Sequence, residues 1–411
     1  MRASEGVRRG VTLIELMVSV AVLSIVMTAV LSVVVSISRQ RQEATNLVEV
    51  RSNARVALSM MQFDAANAGV RFGAAPFAVR VLQNVTGAEP ELADTVDCGG
   101  RAGWTVMPET DVIEFREGAN ELPSGTVPFG CPASGCFAGS TFFTAAPFAN
   151  LGDGTNTVVF FSNAATACAA RLTGTIADAQ SSPTFSTMLT QSLRTAAPAM
   201  AYPAAGPGQC PAQGMSINAL RQVTRYLVCR PPVFDANSRP ALFRQRWGPT
   251  YPMAGSLINY VSVQEAVEDL QVASLVSLST NAGTITGITG SSCSGTGVNA
   301  ICWCGQVAGD CMGFIPDPTV SGVLNGASTD AAQRSPFLVR SYRVAVTTLS
   351  SRSRGMNDQG VFSRPALFDH AAGAITDYGA AGSVGASVYS NSHRTVMEST
   401  IMPQNISLVT P

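Results

Sequence analysis

Few side-chain types in this chain can do chemistry, and their placement narrows what that chemistry is. All 26 basic residues are arginine, so a lysine Schiff base and a phosphate-binding loop ending in Gly-Lys are both excluded. His370 and His393 are the only histidines, too few for a multi-histidine metal centre. Asp369 precedes His370, yet no G-x-S-x-G elbow, H-E-x-x-H motif or dinucleotide glycine fingerprint accompanies them, so the sequence reads as that of a non-enzyme with no cofactor. Asp153 and Asn156 in "LGDGTNT" lack the spaced carboxylates of a calcium loop and suit a turn.

Ten cysteines remain: Cys98, Cys131, Cys136, Cys168, Cys210, Cys229, Cys293, Cys302, Cys304 and Cys311. An even number in Gly- and Ser-rich sequence suits disulfides in an oxidising compartment. "CPASGC" holds Cys131 and Cys136 close together around a proline and a glycine, which suits a local bridge. Cys293, Cys302, Cys304 and Cys311 could in principle hold zinc, but "CWC" does not match the paired C-x₂₋₄-C spacing of zinc knuckles. Disulfides within that segment are the expectation, with no metal. Connectivity cannot be read from the count; Cys98 with Cys168, and Cys210 with Cys229, are two further pairings named without a sequence argument.

One carboxylate is out of place. Glu15 heads an uncharged run from Leu16 to Ile37, which spans about 33 Å as a helix and so suffices for a bilayer. An ionisable group at that depth is costly and calls for a partner. The run is too long for the core of a secretory signal, and no small-residue cleavage site follows it. Arg2, Arg8 and Arg9 precede it, which predicts a cytoplasmic N-terminus and everything beyond about Arg39 across the membrane. Ser24, Thr28, Ser32 and Ser36 recur every four residues. Such a stripe either lets helices approach closely or bonds its hydroxyls to the preceding turn.

The segment "RRGVTLIE" resembles the type IV prepilin signal: a short basic leader ending in glycine, an apolar residue, then Thr-Leu-Ile-Glu. The resemblance implies cleavage by a prepilin peptidase between Gly10 and Val11 and N-methylation of the new terminus. It implies an assembly role for Thr12 and Glu15, with Glu15 pairing to the α-amine of a neighbouring subunit. Val11 stands where that family usually has phenylalanine.

Past Ile37 the helical pattern continues without proline or glycine to Ala68. Leu47, Val50, Ala54, Ala57, Leu58, Met61 and Ala65 fall on one face, and Asn67-Ala68-Gly69 supplies a stop. From about Arg71 the chain reads as β-rich. Expected strands are Phe77–Leu82, Val112–Arg116, Thr157–Phe161, Val223–Cys229, Ala241–Trp247, Ile258–Val263, Leu270–Leu278, Phe337–Leu349 and Thr395–Met402. The stretches 195–214, 281–300 and 371–392 read as loops or insertions.

Several segments resemble, in order, those of PilW-like minor pilins. They are "RVALSMMQFDAANAGVRFG", "YLVCRPPVFDANSRPALFRQRW", "INYVSVQEAVEDLQVASL", "VRSYRVAVTTLSSRS" and "HRTVMESTIMPQNISL", with Ala266 where that family usually has glycine. The expected architecture is α+β: a leader over 1–10, a long N-terminal helix over 11–69 (11–38 in membrane or filament core) packed on an antiparallel β-rich head over 70–411, with disulfide-stapled insertions. The resemblance implies a single-pass inner-membrane subunit that joins a pilus and helps prime it at the tip. Its implied partners are prepilin peptidase, other minor pilins, the major pilin and a large tip adhesin. A minor pseudopilin of a type II secretion system shares the signal, and an adhesin or an anchored periplasmic enzyme are alternatives of other classes. With a formal net charge of −1, no nucleic-acid partner is expected.

Overall fold

The computed structural model describes residues 11–70, 79–85, 98, 101, 103–118, 125–126, 142–143, 158–162, 167–172, 184–185, 188–189, 216–232, 239–247, 259–277, 279–280, 283–284, 293–294, 301–304, 339–353, 368 and 392–403. The chain divides into two compact units, Met1–Glu49 and Val50–Pro411.

A single helix, α1 (Leu13–Asn67), opens the fold. Its stop follows from backbone chemistry. Gly69 adopts φ 77°, the left-handed conformation glycine reaches without steric cost, and its N–H turns to donate to the Arg116 carbonyl at 2.8 Å.

The strands that follow are β1 (Val79–Val85), β2 (Thr105–Val106), β3 (Thr110–Gly118), β4 (Gly125–Thr126), β5 (Phe142–Phe143), β6 (Val158–Ser162) and β7 (Ala167–Leu172). Next come β8 (Thr184–Phe185), β9 (Met188–Leu189), β10 (Ser216–Arg230), β11 (Ala241–Trp247), β12 (Asn259–Glu265) and β13 (Val267–Ser277). The last are β14 (Ser279–Thr280), β15 (Gly283–Thr284), β16 (Cys293–Ser294), β17 (Ile301–Cys304), β18 (Val339–Ser353) and β19 (Ser392–Ile401). The α+β expectation is met, and all nine anticipated strands are present, eight within a few residues of their expected bounds; β10 begins seven residues before the expected Val223. Cys293–Ser294 and Gly283–Thr284 fall in the stretch expected to be loop, and β17 in the Cys-rich segment; 195–214 and 371–391 lie outside the described residues.

Every pairing among the described strands is antiparallel. A ten-stranded sheet runs β1-β3-β10-β6-β7-β9, with β2, β4 and β11 also on β10 and β12 on β11; a five-stranded sheet runs β16-β17-β13-β18-β19. The long strand β10 organises the first sheet, because its N-terminal part pairs with β6 and the rest with β3 and β11. The chain passes from one sheet to the other at Ala266, which takes φ 62° between β12 and β13 while its carbonyl accepts the Leu349 N–H at 2.7 Å.

Within the second unit, Ala54, Ala57, Leu58, Met61, Ala65 and Ala68 of α1 join one core with residues of both sheets, among them Ile113, Phe115, Tyr226, Val272, Val344 and Ile401. Small residues on the helix face let its backbone lie close to the strands. Six of the seven residues expected on that face, from Val50 onward, are buried; Leu47, which lies before the second unit begins, is 38% exposed.

The opposite face of the first sheet carries charge inside. Arg80, Glu114, Arg225 and Gln245 stand in register across β1, β3, β10 and β11. All four are buried, as is Arg116. Glu114 accepts from Arg225 Nε at 2.8 Å and Arg116 Nη2 at 3.0 Å, with Arg80 Nη1 at 3.7 Å. Burial alone would raise the Glu114 pKa, but the guanidiniums of Arg225, Arg80 and Arg116 bring it down to about 2. A carboxylate with three cations is how this face keeps charge away from water.

Two other carboxylates tie elements together. Asp64 of α1 accepts from Tyr226 Oη, from Arg244 and from Arg246 Nη2. Desolvation, with the Asp64 carboxylate as acceptor, drives the Tyr226 pKa well above its ordinary value. Asp111 bridges the sheets, accepting from the Asn84 N–H at 2.8 Å and the Val272 N–H at 2.7 Å.

The disulfide pairing departs from expectation. Cys98 bonds Cys229, with Cα atoms 6.2 Å apart, rather than Cys168, and Cys229 is therefore not joined to Cys210. The position of a cysteine along the chain does not reveal its partner; here sheet order decides. Cys229 sits near the end of β10 opposite Val106 of β2 and Ala241 of β11. Cys98 and Cys229 share a buried cluster with Phe243, whose ring the Trp104 ring meets edge-on at 5.9 Å.

Candidate processing and assembly site

The start of α1 is set by two side chains. Thr12 is the residue before the first helical one, and its Oγ1 accepts the Glu15 N–H at 3.3 Å. Glu15 returns the contact: its Oε2 accepts the Thr12 N–H at 3.0 Å and the Thr12 hydroxyl at 3.1 Å. This reciprocal capping box satisfies two of the N–H groups a helix start leaves unpaired. Both contacts that the carboxylate makes with Thr12 fall on Oε2. The sequence had assigned Thr12 and Glu15 to assembly without seeing this contact. A threonine three residues before a glutamate at the head of an apolar run is the signal that reveals it.

Val11 lies just outside the box, 73% exposed, and Gly10 lies outside the described residues. The large apolar side chains from Val11 to Ile37 are 44 to 76% exposed, so this stretch of helix presents apolar surface all round. By length and composition α1 is able to cross a membrane. The hydroxyl stripe resolves in part: Ser24 donates to the Val20 carbonyl at 2.8 Å, Thr28 to Ser24 at 2.8 Å and Ser32 to Ala29 at 2.7 Å. These hydroxyls cost nothing in an apolar setting, since each is satisfied by its own helix.

The other expected site residues are placed only in part. Cys293 and Cys302 are register partners across β16 and β17, and Cys304 lies two residues on. Cys131, Cys136 and Cys311 lie outside the described residues, as do Asp153, Asn156, His370 and Asp369. Among the described residues no three His, Cys, Asp or Glu side chains converge as a metal site requires.

Residues 7–31 match the family model described as the prokaryotic N-terminal methylation motif. The N-terminal segment is thus a type IV pilin-like prepilin signal, of the kind that prepilin peptidase processes before a subunit assembles with other pilins. The match and the apolar helix are consistent with membrane anchoring before assembly into a surface pilus, and with a structural subunit rather than an enzyme. No curated protein and no solved structure matches the chain.

Proposed function

We propose that this chain is the precursor of a minor pilin of the PilW-like kind, a structural subunit of a type IV pilus. The observation that carries the reading is the conjunction at the N-terminus: a prepilin signal over 7–31 feeding an exposed apolar helix whose first turn holds Thr12 and Glu15. The ordered resemblance of five later segments supports the PilW-like assignment.

In this reading, residues 1–10 are a leader and peptidase cuts between Gly10 and Val11. Residues 11–69 form the pilin helix, with 11–38 in the membrane and then the filament core; 70–411 form the head. The arginines of the leader hold that end in the cytoplasm, and the head lies in the periplasm until the subunit leaves the membrane. Extraction is reversible because neighbouring helices replace lipid around the same apolar surface. Val11 gains a cationic α-amine, methylated or not, and Glu15 of one subunit meets the amine of the next. Together with other minor pilins the subunit starts polymerisation of the major pilin at the tip, where a large adhesin can be carried. Cys131 with Cys136, and the set Cys293, Cys302, Cys304 and Cys311, staple the insertions of the head.

Intact-mass and N-terminal peptide analysis, with the cognate prepilin peptidase present, tests the first step. A chain beginning at Val11 supports it, and one still beginning at Met1 sinks it. Deletion then separates the pilus from its nearest rival. Loss of surface pili and twitching supports the minor pilin, whereas loss of exoprotein secretion makes the chain a minor pseudopilin. Ligand binding by the head without any pilus partner would make it an adhesin.

A further inference from the structure

Two cysteines that the N-terminal signal does not explain stand opposite each other at one edge of the five-stranded sheet. We infer that Cys293 and Cys302 form a disulfide across β16 and β17, a covalent pin on the outermost strand of that sheet. The inference deepens the reading of the head given above, because it rests on the head being exported to an oxidising compartment.

Backbone register carries it. Cys293 pairs with Cys302, and Ser294 with Ile301, in antiparallel register. Residues directly opposite in such a pair have Cα atoms about 4.5 or 5.5 Å apart, and a disulfide needs about 4.4–6.8 Å. Cys304 is the competing partner, two residues further along β17. From Cys293 it is diagonal, about 7–8 Å away, which is beyond what a disulfide bridges without backbone movement. Cys302 and Cys304 are poorly placed to bond each other. Same-face neighbours on one strand stand about 6.6–6.8 Å apart with parallel Cα–Cβ directions, whereas bridged Cβ atoms lie about 3.5–4.5 Å apart. Of the pairings open to these three residues, register leaves one.

Two further observations fit. Alternation puts Trp303 on the face of β17 opposite to its two cysteine neighbours, and the Arg343 guanidinium of β18 lies 4.5 Å over the Trp303 ring. That contact holds the facing of β17, and with it the common face of Cys302 and Cys304. β16 itself consists of Cys293 and Ser294 alone, whereas a strand usually runs about 3–10 residues. A ladder so short holds a strand weakly, and a bridge supplies what it lacks. Pinned in place, β16 covers the edge of β17, which would otherwise be open to pairing with another chain.

The bond forms by thiol–disulfide exchange. One cysteine thiolate attacks the disulfide of an oxidoreductase of the compartment and displaces one of its thiols. The second cysteine thiolate then attacks the mixed disulfide and displaces the other. Two thiols of this chain are oxidised, and the donor disulfide is reduced to two thiols.

The test uses the full-length chain isolated from membranes without reductant, its free thiols alkylated before lysis. Chymotrypsin cuts after Leu278 and after Trp303, so Cys293 and Cys302 fall in peptide 279–303 and Cys304 in the next. Peptide 279–303 is expected to be lighter than its reduced form by two hydrogens, to carry no alkyl group and to be joined to no other peptide. The same peptide joined to that of Cys304, or to any other, overturns the inference. Alkylation of both cysteines while Cys98–Cys229 stays bonded also overturns it, whether the thiols had been free or metal-bound. Alkylation of Cys98 and Cys229 as well would overturn it together with the proposed export of the head, so the two failures are told apart.

Discussion

The two units of this chain invert one another. In the first, the large apolar side chains from Val11 to Ile37 are 44 to 76% exposed; in the second, the largest fully buried side chains are Arg80, Arg116, Arg225 and Tyr226. The inversion teaches what each unit is built to meet. A helix that shows valine and leucine on every side is satisfied only by lipid or by other helices. A sheet that encloses guanidiniums must bring its own carboxylate, and Glu114 is that carboxylate. The helix start follows the second rule within the first unit, since Glu15 is satisfied by Thr12 of its own chain.

The largest effect is expected where the buried charge is unbalanced. Glu114→Ala would leave Arg80, Arg116 and Arg225 facing one another and should cost up to about 5 kcal/mol in urea unfolding. Glu117 makes the contrast: its 3.0 Å pair with Arg221 is exposed enough for solvent to screen it. Glu117→Ala should therefore cost less than about 1 kcal/mol. If the two variants unfold alike, the buried row on this sheet does not hold the fold as its geometry indicates.

Next in size is the disulfide. Cys98 and Cys229 are 131 residues apart, a loop long enough that replacing both by alanine should cost at most about 5 kcal/mol, the limit that the loop-entropy account sets. Peptide mapping without reduction checks the pairing independently. A peptide joining Cys229 to Cys210 would overturn it.

A paired substitution sharpens the comparison between the units directly. Leu23 is 60% exposed on the apolar helix and Val261 is 57% exposed on β12. Leu23→Arg should cost about 3 kcal/mol of membrane insertion, read as the fraction of protein extracted by carbonate. Val261→Arg, at nearly the same exposure, should change head stability by less than about 0.5 kcal/mol. Equal behaviour at the two sites would mean that the helix surface is ordinary solvent-facing surface.

Much of this was legible along the chain. Period, β-branched residues and turn clusters placed β11 at Ala241–Trp247 to the residue, and Asn67-Ala68-Gly69 stopped the helix where Gly69 turns. What could not be read was sideways. β3 is buried on both faces, so its sequence shows no clean alternation, and nothing in "TDVIEFREG" says that Glu114 will stand between arginines 34 and 111 residues away in the chain. The cysteine pairing failed for the same reason, since partners across a sheet are set by strand order. Leu47 failed because a helical face predicts burial only where something packs against it. The Thr12–Glu15 box is the reverse case: it is local, and its spacing alone would have found it.

The smallest effect tests a residue that joins the two sheets. Ala266 is buried yet holds φ 62°, a left-handed conformation that costs a residue with a Cβ about 1–2 kcal/mol. Ala266→Gly relieves that strain but removes a buried methyl, about 0.8 kcal/mol, and loosens the unfolded chain by about 0.5–1 kcal/mol. The terms nearly cancel, so stability should move by less than about 0.5 kcal/mol. Ala57 is as well buried but helical, and there no strain offsets the loss: Ala57→Gly should cost about 1.5–2 kcal/mol. Urea midpoints of the two variants decide it. Near-neutrality at 266 beside a clear loss at 57 confirms that Ala266 works against its own backbone. An equal loss at both would mean that the turn between β12 and β13 carries no strain.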